Sequence, residues 1–335
     1  MTRARATMVC VDATPYYHCV GRCVRRAYLC GEDEHSGVSY EHRREWMEER
    51  LALLTEVFAV DLCAYALMSN HYHLVVKLRP ADTAAWSDEG VIERWTQLFA
   101  GPLVVQRYRQ GIAMSAAELK QVSRHISLWR ERLGSLSWFM RCLNEHIARL
   151  ANAEDGCTGH FWEGRFKSQA LLDEAALLSA MAYVDLNPVR AGMASDIPGS
   201  DYTSGQVRWQ IAAGVPQPRE RGPRPRLLPF EGASGSHNSI APLPFALQDY
   251  LAFLDESGRV VRDDKRGFIA ACRPKLLTML GLEPGEWLGA VRQLHGRFEA
   301  AMGSPLHMER LAVRRSVRWL RGVRHARRLY PTLKG

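Results

Sequence analysis

No two of the eight cysteines form a Cys-x-x-Cys pair: Cys10, Cys19, Cys23, Cys30, Cys63, Cys142, Cys157 and Cys272 are scattered along the chain. That spacing argues against a zinc ribbon or a dithiol redox motif, and a chain of 335 residues needs no disulfide staples to stabilise its core. Reduced, mostly buried thiols are expected. Long apolar runs are missing too, since none approaches the about 20 residues of a membrane span. The opening Met1-Thr2-Arg3-Ala4-Arg5-Ala6-Thr7 has no apolar signal core. A cytoplasmic protein with no membrane partner is expected. Acidic residues are in deficit, 36 against 44 basic ones, leaving a formal net charge of +8 in the direction that phosphate contacts require.

What is present begins with Tyr65-Ala66-Leu67-Met68-Ser69-Asn70-His71-Tyr72-His73-Leu74-Val75-Val76-Lys77-Leu78. Residues i and i+2 of a strand project from one face, so His71 and His73 point to the same side. Two imidazoles on a rigid strand supply half of a mononuclear metal site. Spacing alone fits better with two partly buried histidines bonded to carbonyls. Further on, Asp173-Glu174-Ala175-Ala176 opens an Ala/Leu-rich helix, with acidic residues where the macrodipole favours them. Pro188 predicts its end near Asn187. Tyr183 and Asn187 are four apart and share a helical face, which presents a phenol and an amide side by side. A core tyrosine and a C-cap asparagine are the ordinary alternative.

These segments resemble the single-tyrosine HUH transposases of insertion sequences, and most closely their REP-associated tyrosine transposase branch, REP standing for repetitive extragenic palindrome. The matching pieces are Tyr17-His18-Cys19-Val20-Gly21-Arg22-Cys23, Met68 to Leu74, Gly159-His160-Phe161-Trp162-Glu163-Gly164-Arg165-Phe166-Lys167-Ser168, and Tyr183 to Gly192. Together they span from about Tyr16 to Ala194. The resemblance implies a metal-binding pair, His71 and His73, a nucleophile, Tyr183, and a third protein ligand, Asn187. It also implies metal-dependent cleavage and rejoining of single-stranded DNA through a 5′-phosphotyrosine, at REP-type palindromic hairpins, with a nucleoid-associated cytoplasmic location.

The chemistry accounts for the residue types. Phosphodiester cleavage needs an in-line nucleophile and a cation beside the non-bridging oxygens. Two imidazoles, an amide oxygen, phosphate and water suit a divalent metal ion, Mg²⁺ or Mn²⁺, with nitrogen ligands favouring Mn²⁺. A covalent phosphotyrosine conserves the bond energy for rejoining. Arg22, Arg25, Arg26, Arg165 and Lys167 are the expected DNA-binding residues of this block: the first three lie in or just after the first strand, and the last two are interleaved with Phe161, Trp162 and Phe166 on a strand that would stack single-stranded bases.

Periodicity places strands near Tyr17–Val24, Val60–Met68, His71–Leu78 and His160–Leu171, and helices near Tyr40–Phe58, Asp88–Phe99, Ala116–Leu133 and Leu136–Ala153. This order predicts an α+β fold, an antiparallel sheet backed by helices, and the resemblance implies that it is ferredoxin-like. The domain reading is a catalytic domain over 15–199 with a helical insertion at about 101–152, read as a brace. A Pro/Gly/Arg-rich linker follows over 200–246, then a mostly helical, basic C-terminal region over 247–335. In that region Arg310, Arg314, Arg318, Arg321, Arg324 and Arg328 recur at helical spacing beside Leu311, Val317, Leu320 and Val323, which predicts one basic helix. Arg314, Arg318 and Arg321 are its expected DNA contacts.

The competing class is a catalytically idle DNA- or RNA-binding regulatory protein on the same fold. Replication initiators and relaxases share the histidine pair but usually place their tyrosine before it, whereas Tyr183 follows. The C-terminal extension occupies surface, so a monomer is expected rather than the dimer usual among insertion-sequence members.

Overall fold

The computed structural model describes residues 8–24, 28–33, 37–216, 222–232, 241–261 and 275–331. The first four strands along the chain are β1 (Tyr16–Arg22), β2 (Val60–Leu67), β3 (His71–Leu78) and β4 (Lys167–Leu171). Between β1 and β2 runs α1 (Arg43–Val57); between β3 and β4 run α2 (Asp88–Thr96), α3 (Leu103–Arg109), α4 (Ala116–Leu133) and α5 (Leu136–Glu154). The sheet order is β2-β3-β1-β4 with a fifth strand, β7 (Ala301–Met302), outside β4. All pairs are antiparallel except β4–β7, which is parallel. The fold is thus α+β, with a mostly antiparallel five-stranded sheet.

Alternation along the strands assigns the two faces. Tyr72 of β3 donates its hydroxyl to Asn144 of α5, and Tyr65 of β2 donates to Glu48 of α1 at 2.6 Å, so α1 and α5 cover that face. Gly21 is what lets β1 approach there: a Cβ at this position would sit 2.5 Å from the Tyr72 ring. The opposite face carries His18 and Val20 of β1, His71 and His73 of β3, and Lys167 and Gln169 of β4, fixed by the pairings Arg22↔His71, Val20↔His73 and His18↔Gln169.

That face is covered by α6 (Glu174–Asp185), started by Asp173, whose side chain accepts from the Ala176 amide at 2.9 Å. Every residue of α6 from Ala175 to Asp185 is buried, as expected of a helix enclosed on all sides. A short α7 (Asn187–Arg190) follows, then α8 (Ser204–Ala212). A two-stranded sheet, β5 (Phe230–Glu231) with β6 (Leu243–Ala246), precedes α9 (Leu247–Val261), α10 (Lys275–Met279), α11 (Pro284–Arg292), α12 (Leu294–Arg297), α13 (Pro305–Arg314) and α14 (Val323–Leu329).

Three expectations need correction. The strand expected from His160 begins only at Lys167; Phe161 and Phe166 are buried and Trp162 packs edge-on to Tyr72 at 5.5 Å. Phe161 and Trp162 pack with the core and form no platform for bases; Phe166 alone of the three lines the cavity that His71 and His73 share. The single basic C-terminal helix is two, α13 and α14, because the chain turns through Ser316 and Gly322, both with positive φ. The Pro/Gly/Arg-rich stretch, where described, buries Leu228, Phe230, Leu243 and Phe245 and holds Arg208 against the Cys63 carbonyl at 2.6 Å. Its apolar residues are few but placed where they pack.

The C-terminal region is built into the same core. Gln169 donates to the Phe298 carbonyl at 2.8 Å, and Trp287 of α11 donates its indole N–H to Ser179 of α6 at 3.1 Å. Residues from Tyr17 to Tyr330 share one hydrophobic cluster. The described cysteines are all free, five of them buried. Among the described residues, no helix is long and apolar enough to cross a membrane.

Candidate active site

Sheet pairing and the packing of α6 bring the chemistry-bearing residues to one cavity of about 1530 Å³, lined by His71, His73, Tyr183 and His295 among others. Tyr183 projects from the last turns of α6 with its ring 5.3 Å from that of His73 and 5.7 Å from that of His18. Its hydroxyl makes no hydrogen bond with another described residue, which leaves it available to a ligand. Arg190, on α7, lies with its guanidinium carbon 4.4 Å from the Tyr183 ring centroid. That cation is held by the Arg292 carbonyl at 2.7 Å and would favour negative charge developing on the phenol.

Beneath the tyrosine lie imidazoles from three elements. His18 Nε2 and His73 Nδ1 are 3.0 Å apart, and the ring of His295, from α12, stacks on His18 at 4.9 Å. One ring nitrogen each from His18, His73 and His295 falls within 4.8 Å of the others. His73 Nε2, His295 Nε2 and His18 Nδ1 are buried without a hydrogen-bond partner among the described residues. Such orphaned nitrogens are costly unless something binds them. His71 stands toward the rim, its ring 4.9 Å from that of His73. Its Nδ1 lies 2.7 Å from Asn70 Oδ1, an oxygen that can only accept, so the proton is on Nδ1 and Nε2 carries the lone pair.

All four imidazoles are held neutral. Burial lowers His71 to about 4, with Arg22, His295 and Arg190 adding to it. Burial also lowers His295 to about 4, with Lys167 and Arg190 contributing. His18 and His73 are pushed well below 6.5, again mainly by burial. A neutral ring with a free lone pair is the metal-ligating form.

Of the residues expected from sequence, His71, His73, Tyr183, Arg22, Arg165, Lys167, Arg318 and Arg321 all line this cavity. Arg314 is exposed on α13 but does not line it, and Arg25 and Arg26 lie outside the described residues. Asn187 does not line it either: α6 ends at Asp185, and Asn187 starts the separate turn of α7 with Pro188. Buried there, its Nδ2 has no partner among the described residues. His18, His295 and Arg190 were not singled out from sequence. A lone histidine on a strand has no readable face until its neighbours are paired, and His295 meets the site through a long-range docking of α12 that no local pattern shows.

No family model matches the chain, and no curated protein sequence matches it. A search of solved structures finds similarity to a REP-associated tyrosine transposase bound to a REP hairpin, at 11% identity, covering 67% of this chain and 98% of that one. The TM-score is 0.35, below the overlap that defines a shared fold.

Proposed function

We propose that the protein is a metal-dependent single-stranded DNA strand transferase, a transposase-type enzyme in which Tyr183 is the nucleophile. The observation that carries this reading is the Tyr183 hydroxyl, without a hydrogen-bond partner among the described residues, beside neutral imidazoles in a cavity lined by Arg22, Arg165 and Lys167. The β-α-β-β-α-β order of the first four strands, spatially β2-β3-β1-β4, supports a ferredoxin-like catalytic core within residues 15–199, with 101–152 as its helical insertion. The segment 200–246 then leads to a basic region, 247–335, that contributes His295.

In this reading the Tyr183 oxygen attacks phosphorus as its proton departs. The bond to the 3′ oxygen breaks, that oxygen takes up a proton, and a 5′-phosphotyrosine remains for rejoining. Arg190 steadies the phenolate, and Arg22, Arg165 and Lys167 hold the flanking phosphates. A divalent cation would be held by His73 with His71 and the neighbouring His18 and His295, and would neutralise the non-bridging oxygens. So many imidazoles favour Mn²⁺ over Mg²⁺. Asn187 stands as the third ligand only on the resemblance. The substrates proposed are REP-type hairpins, met in the cytoplasm at the nucleoid by a monomer.

The test is to mix the protein with labelled single-stranded hairpin oligonucleotides and Mg²⁺ or Mn²⁺, then separate the products under denaturing conditions. A protein–DNA adduct that disappears with EDTA and with Tyr183→Phe is expected. Hairpin binding without adduct or nick in either metal would instead point to the idle binding protein.

A further inference from the structure

Of the nine tryptophans in the sequence, Trp319 is the one left mostly exposed, at 68%. It sits in the turn 315–322 between α13 and α14, and that turn is pinned on both sides. The Val317 amide donates to the Ala312 carbonyl at 3.0 Å, Arg321 donates to the Gly296 carbonyl at 3.2 Å, and Leu320 is buried. Gly322, at φ +109°, is pressed so close that a Cβ there would lie 2.5 Å from the Phe298 ring. Val317 and Leu320 therefore anchor the turn while Arg318 and Trp319 face out.

Trp319 stands at the cavity of Tyr183 and His73, whose lining it shares with Arg318, Arg321, Arg22 and Lys167, and it also borders a second groove lined by α13 and α14. An indole on an anchored turn among cations has the chemistry of a stacking platform for unpaired bases, whose phosphates the arginines neutralise. Of the aromatics expected to do this from sequence, Phe161 is buried in the core and Trp162 packs edge-on against Tyr72, both off this cavity, while Phe166 lines it but is nearly buried.

We infer that Trp319 stacks one unpaired base of the nucleic-acid strand that enters this cavity, and so sets where the strand sits relative to Tyr183. The inference rests on the proposal that the cavity takes single-stranded DNA. Stacking on an aromatic carries no charge, so it tolerates any base and contributes nothing to the release of counterions.

The experiment is an anisotropy titration of the full chain with a short single-stranded DNA in which each nucleotide is replaced in turn by an abasic unit. Wild type, Trp319→Ala and Trp319→Phe are compared. Trp319→Ala is expected to weaken binding on the order of 10-fold or more, with Trp319→Phe recovering most of it. One abasic position should weaken wild type by a similar factor and leave Trp319→Ala unaffected, while the salt slope stays the same in all three. Undiminished binding by Trp319→Ala, or an abasic profile that survives the substitution, overturns the inference and leaves the proposed function standing. A wild-type chain that does not bind the DNA at all removes both.

Discussion

At the scale of single residues, the candidate site turns on which nitrogen donors would hold the proposed metal ion. The His71/His73 spacing places two imidazoles on one face, yet the tightest cluster joins His73 to His18 and His295. Asn187, the ligand that the resemblance implies, is buried away from the cavity lining. The two ligand sets predict different variants. His295→Ala should weaken Mn²⁺ binding about 10-fold or more, the scale of losing one strong ligand contact or its support, while Asn187→Ala should leave the Mn²⁺ affinity nearly unchanged. Titration calorimetry with Mn²⁺ checks both; the reverse ranking would restore Asn187 as ligand and make His295 a packing residue.

At the scale of elements, β3 is held between two faces with different tasks. His71 and His73 serve the cavity, while Tyr72 between them crosses Gly21 and anchors to Asn144 on the other side. The pair is aimed by this locking of the middle residue, which sequence spacing does not reveal. Gly21→Ala should therefore force Tyr72 off its seat and destabilise the fold by about 1–3 kcal/mol, as overpacking does. A urea melt measures it, and an unchanged midpoint would show that Tyr72 can shift freely. On the far side of the sheet, α6 depends on Asp185 near its end. Its carboxylate accepts from Tyr250 at 2.6 Å and from the Gly205 amide at 2.8 Å. That network fixes the turn from which Tyr183 projects.

At the scale of the molecule, four neutral histidines, His18 and His73 buried and His71 and His295 partly so, couple stability to pH. Each has a folded pKa below its unfolded value near 6.5, with His71 and His295 at about 4. Between these values the unfolded chain binds protons that the folded one refuses, so stability rises with pH there. It is fully present above about 6.5 and is lost as pH falls toward 4. Asp185, raised by burial, acts in the opposite sense, but it is one carboxyl against four imidazoles. The urea midpoint of metal-free protein in EDTA should hold from pH 7.5 to about 6.5 and then fall toward pH 4.5. A midpoint that still holds or rises below about pH 6.5 would mean that the histidines are solvated rather than buried.

The sequence by itself determined the local elements and half of the site. Period-two and helical patterns located β2, β3, α4 and α5 to within a residue or two, because alternation and capping are properties of neighbours in the chain. The His-Tyr-His spacing and the tyrosine helix were legible for the same reason. Only the tertiary structure decided that α6 lies over the histidine face, that Phe161 and Trp162 pack with the core, and that α12 brings His295 onto His18. Those outcomes depend on which strand pairs with which and on which apolar face finds cover. Such contacts join residues far apart in the chain, and no local pattern encodes them.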